Sequence, residues 1–97
     1  MKKLREVKKL TLREVAEELG IDTSTLGKIE KNKRRPSKKL ILKIAKFYDV
    51  SEKDLIIDFL SDAVAVQVMY DNEIAQDVLK VAEEKVRYLQ DQMKPNK

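Results

Sequence analysis

Apolar residues recur every three or four positions along most of the chain. The clearest example runs from Leu12 to Leu19, where this spacing places the apolar side chains on one face of an α-helix. Thr11 and Glu14 bracket its first turn as a capping box, in which a hydroxyl and a carboxylate each accept a backbone N–H. Gly20 can end the helix in the left-handed conformation. The pattern therefore predicts a helix over residues 11–19.

Similar signals predict helices on both sides of this segment. Asp22, Ser37 and Ser51 each precede a stretch with one apolar face and are suited to cap its N-terminus. Asn32 tolerates the left-handed conformation better than most residues and can end the helix that begins after Asp22. The predicted helices span residues 2–9, 23–31, 37–48, 51–60 and 71–93, and the predicted fold is all-α.

Residues 61–70 carry an ambiguous pattern. One set of apolar residues alternates as in a β-strand, and another set fits the face of a helix. A single strand needs a partner, which only the same segment of another subunit could provide. We therefore favour a helix. The alternating set is Val64, Val66, Val68 and Tyr70, and the helical set is Phe59, Ala63, Val66 and Tyr70.

The residue content restricts the possible chemistry. The 97 residues include no Cys and no His, which removes thiolate nucleophiles, imidazole bases, disulfides and the usual zinc ligands. The sequence also has no glycine-rich loop that could cradle a phosphate and no evident cluster of carboxylates. We therefore predict a protein that is not an enzyme and that has neither a cofactor nor a metal site.

The charge is unevenly distributed between the two halves of the chain. Residues 1–50 contain 15 Lys or Arg and 7 Asp or Glu, a net +8, whereas residues 51–97 contain 6 and 10, a net −4. A basic half suits a polyanion-binding module, unless the asymmetry serves solubility alone. No apolar run approaches the roughly 20 residues of a membrane span, and none follows the first residues as in a signal peptide. We expect a cytoplasmic protein without a membrane partner.

The helices predicted over residues 11–19 and 23–31 are short and are joined by a tight turn, as in a helix-turn-helix motif. The second helix of such a motif enters the major groove of duplex DNA. Its predicted exposed side carries small or hydrogen-bonding residues, whereas an ordinary surface helix would more often expose pairs of Glu and Lys. The base-facing candidates are Thr23, Ser24, Thr25 and Lys28, and Gly27 lies on the same side of the helix.

Both ends of this motif offer contacts for phosphate groups. The start of the first helix has backbone N–H groups and a dipole that favour an anion, and a basic run follows the second helix. Phosphate contacts would set the docking angle without reading the base sequence. A solvated basic loop is the alternative interpretation. The phosphate-binding candidates are Thr11, Arg13, Lys31, Lys33, Arg34 and Arg35.

Several short runs occur in a characteristic order: Leu-Thr-Leu-Arg-Glu-Val-Ala at 10–16, Leu-Gly-Ile at 19–21, Ser-Thr-Leu at 24–26, Lys-Ile-Glu at 28–30 and Arg-Pro-Ser at 35–37. With them, residues 4–55 resemble the XRE family of lambda-repressor-like helix-turn-helix domains. The resemblance implies a five-helix bundle that regulates transcription, usually as a dimer on a two-fold symmetric operator. It also implies base-facing roles for Thr23, Ser24, Thr25 and Lys28, and positions near phosphates for Arg13, Lys33 and Arg34.

The resemblance further implies an ion pair between Arg5 and Glu30 that ties the first helix to the base-reading helix. The chain departs from the family pattern at Leu12, where many relatives carry a Gln that contacts the DNA backbone, and at the Lys-Asn pair 31–32, where Asn-Gly is frequent. Gly27 is unusual inside a helix, where it costs about 1 kcal/mol relative to Ala. It would either permit a close approach to DNA or avoid a clash within the domain.

The resemblance ends near Leu60, so we predict a DNA-binding domain over residues 1–60 and a helical extension over residues 61–97. The extension is acidic and apolar along one side. We expect it to form a homodimer, because two half-sites about 34 Å apart double the contacts with DNA; folding back over its own bundle is the alternative.

The predicted function is sequence-specific regulation of transcription, as a repressor or restriction-modification controller on a palindromic operator. The alternative function is that of an antitoxin or adaptor whose C-terminal region binds a partner protein.

Overall fold

A computed structural model describes residues 1–94, and all of its regular elements are helical. This confirms the predicted all-α fold; the last three residues of the predicted extension lie outside the described part. The helices are α1 (Lys2–Val7), α2 (Leu12–Leu19), α3 (Thr23–Glu30), α4 (Lys38–Tyr48), α5 (Glu52–Met69) and α6 (Ala75–Met93), with a 3₁₀ turn at Asn72–Ile74 before α6.

The main difference from the predicted elements concerns α5. Residues 61–70 are largely helical, as favoured, but they continue the helix that begins at Glu52 rather than forming a separate one. Nothing in the sequence interrupts the helix near residue 60, because Gly and Pro are absent there. The hydroxyl of Ser61 does not cap a new helix but donates to the carbonyl of Asp58 at 3.0 Å, within the same helix. α1 is shorter than predicted and ends at Val7, with Lys9 in the left-handed conformation (φ 56°).

Local capping signals account for most helix ends. Thr11 and Glu14 form the predicted capping box, with the Thr11 N–H 2.9 Å from the Glu14 carboxylate and the Glu14 N–H 3.1 Å from the Thr11 hydroxyl. Ser37 and Ser51 accept the predicted bonds from backbone N–H groups. The prediction for Asp22 is wrong in its chemistry: the residue holds the cap position of α3, but its side chain makes no capping hydrogen bond.

The structure divides into two compact units, Met1–Ala63 and Val64 onward, three residues later than the boundary predicted from the sequence. The first unit holds the core, in which the inner faces of α2 to α5 meet. Burying each large apolar side chain there stabilises the fold by about 1.5–3 kcal/mol. The largest fully buried side chains are Val15, Leu26, Ile29, Ile44 and Leu55.

The second unit has few buried side chains. Within residues 64–94, Ala75 is the one buried residue, and most apolar side chains of α6 remain exposed. None of the helices in residues 1–94 has the length and hydropathy needed to cross a membrane.

Candidate nucleic-acid interface

The helix-turn-helix is formed by α2, a turn at residues 20–22, and α3. Gly20 ends α2 with φ 71°, a conformation that an L side chain would strain. α3 is anchored by Leu26 and Ile29, which are both fully buried in the core. Because these two residues hold one side of α3 against the bundle, the opposite side is turned outward.

The structure places most of the base-facing candidates on this outward side. Thr23, Ser24 and Lys28 are exposed, whereas Thr25 is half-buried and therefore less accessible. Short hydroxyl side chains and one flexible ammonium group can donate to or accept from base edges in the major groove. α3 thus presents a polar surface that is unusually free of acidic side chains along its first six residues.

A partly buried ion pair links α1 to the far end of α3. The guanidinium of Arg5 in α1 donates to both carboxylate oxygens of Glu30, at 2.9 and 3.1 Å, and also to the carbonyl of Leu10 at 3.0 Å. The hydrogen bond to Glu30 raises the pKa of Arg5 above its usual value. Burial, with a smaller effect of the Glu30 charge, raises the pKa of the neighbouring Tyr48 to about 12. The pair implied by the family resemblance is therefore present, and it sets the orientation of α3.

The basic run after α3 forms the loop that leads into α4. Its first bend is a Schellman motif, in which the N–H of Asn32 donates to the carbonyl of Ile29 at 3.0 Å and the N–H of Lys33 donates to the carbonyl of Lys28 at 2.8 Å. Asn32 is left-handed with φ 58°, as predicted. The four cationic candidates of this segment are exposed: Lys31, Lys33, Arg34 and Arg35.

The two candidates at the start of α2, Thr11 and Arg13, each have a partner within the same helix. The capping box occupies the N–H groups of Thr11 and Glu14, which leaves the N–H groups of Leu12 and Arg13 in that turn for a phosphate. The N–H and hydroxyl of Thr11 lower the pKa of Glu14, so a carboxylate stands at this helix end. Arg13 pairs with Glu17 at 3.3 Å, but both side chains are highly exposed, and such pairs contribute little and exchange readily.

Gly27 lies among the base-facing candidates and beside Leu12 of the other helix of the motif. A Cβ added there would lie 3.5 Å from Cδ2 of Leu12, an ordinary van der Waals distance. The structure thus removes one of the two reasons considered for this glycine, a clash within the domain. The same contact shows that Leu12 packs toward α3 and the core rather than projecting freely.

We expect Gly27→Ala to raise the free energy of unfolding by about 1 kcal/mol, because alanine is favoured over glycine inside a helix and the added methyl meets no close neighbour. Urea unfolding followed by circular dichroism would measure the change. A lower stability for this variant would show that the space beside Leu12 is smaller than the distance indicates.

Cations on α4 add to this surface and were not selected from the sequence. Lys38, Lys39 and Lys43 are exposed, and the last two line a shallow groove of about 240 Å³ with Gly20 and Ile21 of the helix-turn-helix. Their spacing in the sequence indicates that they are exposed, since they fall between the inward-facing residues of an amphipathic helix. Within residues 1–94, no group of three or more acidic side chains is placed to hold a metal ion.

Comparison with known proteins points to the same segment. A family model described as helix-turn-helix matches residues 1–55, more than half of the chain. An uncharacterized HTH-type transcriptional regulator from Methanocaldococcus jannaschii is 42% identical over 57 residues, which cover 59% of this chain and 86% of the relative. Since 57 residues are 86% of that relative, its whole chain is only about 66 residues long. No solved structure is significantly similar to the chain.

Proposed function

This chain belongs to the XRE family of helix-turn-helix DNA-binding transcriptional regulators, and we propose that it acts as a homodimeric repressor, or restriction-modification controller, on a palindromic operator. The observation that carries the proposal is the geometry of α3: a short helix, anchored by Leu26 and Ile29, with an exposed polar side. Exposed cations follow it directly. No catalytic step is part of this function.

In the proposed complex, α3 lies in the major groove of duplex DNA. Lys28 donates to guanine, and the hydroxyls of Thr23 and Ser24 bond to base edges. Thr25 plays a smaller part because it is half-buried. Contacts to phosphates on both sides of the groove supply the salt-dependent affinity and fix the docking angle. The residues assigned to phosphates are Thr11, Arg13, Lys31, Lys33, Arg34 and Arg35.

The second unit supports the homodimer. On α6 the residues Ala75, Leu79, Ala82, Val86, Leu89 and Met93 are spaced alternately four and three apart, the spacing of the apolar seam positions in a coiled coil. Four of these residues have large apolar side chains that are 37–83% exposed in the single chain, namely Leu79, Val86, Leu89 and Met93. The short archaeal relative has at most about nine residues outside the match, too few for a counterpart of the whole second unit. We propose that this segment joins two copies, so that two α3 helices meet successive turns of the operator.

A second candidate function is that of an antitoxin or adaptor. It is favoured by Val81 and Tyr88, which are 46% and 63% exposed on α6 but lie away from the coiled-coil seam. Another protein could bind there. Stoichiometric co-purification of a second protein that Tyr88→Ser abolishes would support this candidate.

The proposed function is tested by comparing Lys28→Ala with Arg34→Ala. An operator is first selected from a pool of random duplexes, and affinities for it and for random DNA are then measured at several salt concentrations. Lys28→Ala should lower the ratio of specific to random affinity by roughly 5- to 100-fold, because a base contact is lost. Arg34→Ala should weaken both affinities similarly and reduce the salt slope by about one unit. An unchanged ratio for Lys28→Ala would refute the base-reading role of α3.

A further inference from the structure

The side chain of Asn32 joins the far end of the helix-turn-helix to α5. Its Nδ2 donates to the backbone carbonyl of Phe59 at 3.2 Å, across 27 positions in the sequence. Asn32 is half-buried and Phe59 is buried in the core. The acceptor therefore belongs to a well-packed part of the first unit and gives the side chain a fixed attachment point.

This hydrogen bond is not required by the bend in which Asn32 lies. Four helices end at a left-handed residue, namely Lys9, Gly20, Asn32 and Asp49, and all four bends have the same pair of backbone hydrogen bonds. Glycine satisfies the backbone requirement without any side chain, as it does at residue 20. Among the hydrogen bonds of residues 1–94, Asn32 alone of these four donates from its side chain to another helix.

The basic loop begins at the next residue. At its start, the N–H of Lys33 is bonded to the carbonyl of Lys28 at 2.8 Å, and Asn32 is attached to α5. At its end, Pro36 is buried and Ser37 caps α4. The three exposed cations at residues 33–35 are thus carried by a short segment that is held at both ends.

We infer that Asn32 is a positioning residue that presets this basic loop for the phosphates of DNA; the inference rests on the proposed function. A loop that is already ordered loses less conformational entropy when it binds, and this difference appears as affinity. Because the cations are still present when the attachment is lost, the number of phosphate contacts stays the same and only the entropic cost of forming them rises.

The test is Asn32→Gly in the full chain, since glycine keeps the left-handed bend and removes only the side-chain attachment. Asp49→Gly is the control for the backbone, because it places glycine at the equivalent left-handed bend after α4, although it also removes a carboxylate. We expect Asn32→Gly to weaken binding to operator and to random DNA alike by about three- to tenfold, the range of one neutral hydrogen bond. The salt slope should stay at the wild-type value, unlike that of Arg34→Ala, and Asp49→Gly should bind no more weakly than the wild type, because the lost carboxylate repels phosphate.

Affinities are measured at a temperature at which circular dichroism shows every variant to be fully folded, so a loss of fold cannot imitate the effect. Equal affinities for Asn32→Gly and Asp49→Gly would overturn the inference and leave Asn32 with a purely structural part. A change in the ratio of specific to random affinity would also overturn it, since that result means a base contact. If Arg34→Ala changes neither affinity nor slope, the proposed role of the loop itself fails.

Discussion

Val86→Glu should convert the protein to a monomer and weaken its binding to a palindromic operator by at least about a hundredfold. Val86 lies in the middle of the apolar seam of α6 and is 51% exposed in the single chain. A dimer would bury this side chain against its copy, where an unpaired carboxylate is strongly disfavoured. Two linked modules bind with an avidity about 10²- to 10⁴-fold higher than one, and a monomer loses that gain.

Val81→Glu is the matched control. It introduces the same change on the same helix at a valine of similar exposure, 46%, which lies outside the seam. Sedimentation equilibrium would report the oligomeric state, and binding to duplexes with one or two half-sites would report the avidity. A dimeric Val86→Glu protein with unchanged operator affinity would rule out α6 as the dimer interface. Monomers from both variants would mean that the interface is not confined to the seam.

Glu30→Ala should lower the free energy of unfolding by about 3 kcal/mol, a large share of the stability of a small domain. The side chains of Arg5 and Glu30 are only 14% and 5% exposed, and the guanidinium bonds to both carboxylate oxygens. Removing the carboxylate leaves the Arg5 charge largely buried with a single remaining bond, to the carbonyl of Leu10. The loss of stability comes mainly from that uncompensated charge.

Glu17→Ala provides the comparison, because it removes the carboxylate of the exposed Arg13 pair on the neighbouring helix. Its expected cost is less than about 1 kcal/mol, since solvent screens such a pair. Urea unfolding of both variants, followed by circular dichroism, measures the difference. Similar losses for the two would mean that the Arg5 pair contributes no more than a surface contact.

Much of the fold follows from short-range signals. Thr11 with Glu14, Gly20, Asn32 and Ser37 behave as the sequence predicts, because each acts on backbone groups within a few residues of itself. The same locality explains why periodic apolar residues predict which face of a helix enters the core. The boundaries were less predictable: α5 runs through residue 60 since helix continuation needs no signal, only the absence of an interruption.

The candidate site was also predictable from the sequence only in part. The polar character of α3 and the charge of the loop after it are visible in the sequence, and the family resemblance supplied the pairing of Arg5 with Glu30. The accessibility of each side chain was not visible there. Thr25 is half-buried, and Arg13 is paired with Glu17. These outcomes depend on how neighbouring side chains compete for the same groups.

The sequence by itself determined the helical class of this protein, most of its helix ends and the polar, cationic character of the surface proposed to face DNA, because hydrogen-bonding partners and charges of that kind are set within one or two turns of the chain. Only the tertiary structure decided that the amide of Asn32 meets the carbonyl of Phe59 and that a methyl group at Gly27 would have room beside Leu12. Such contacts join residues that are distant along the chain, and they exist only after the packing of the core has fixed the distances between helices.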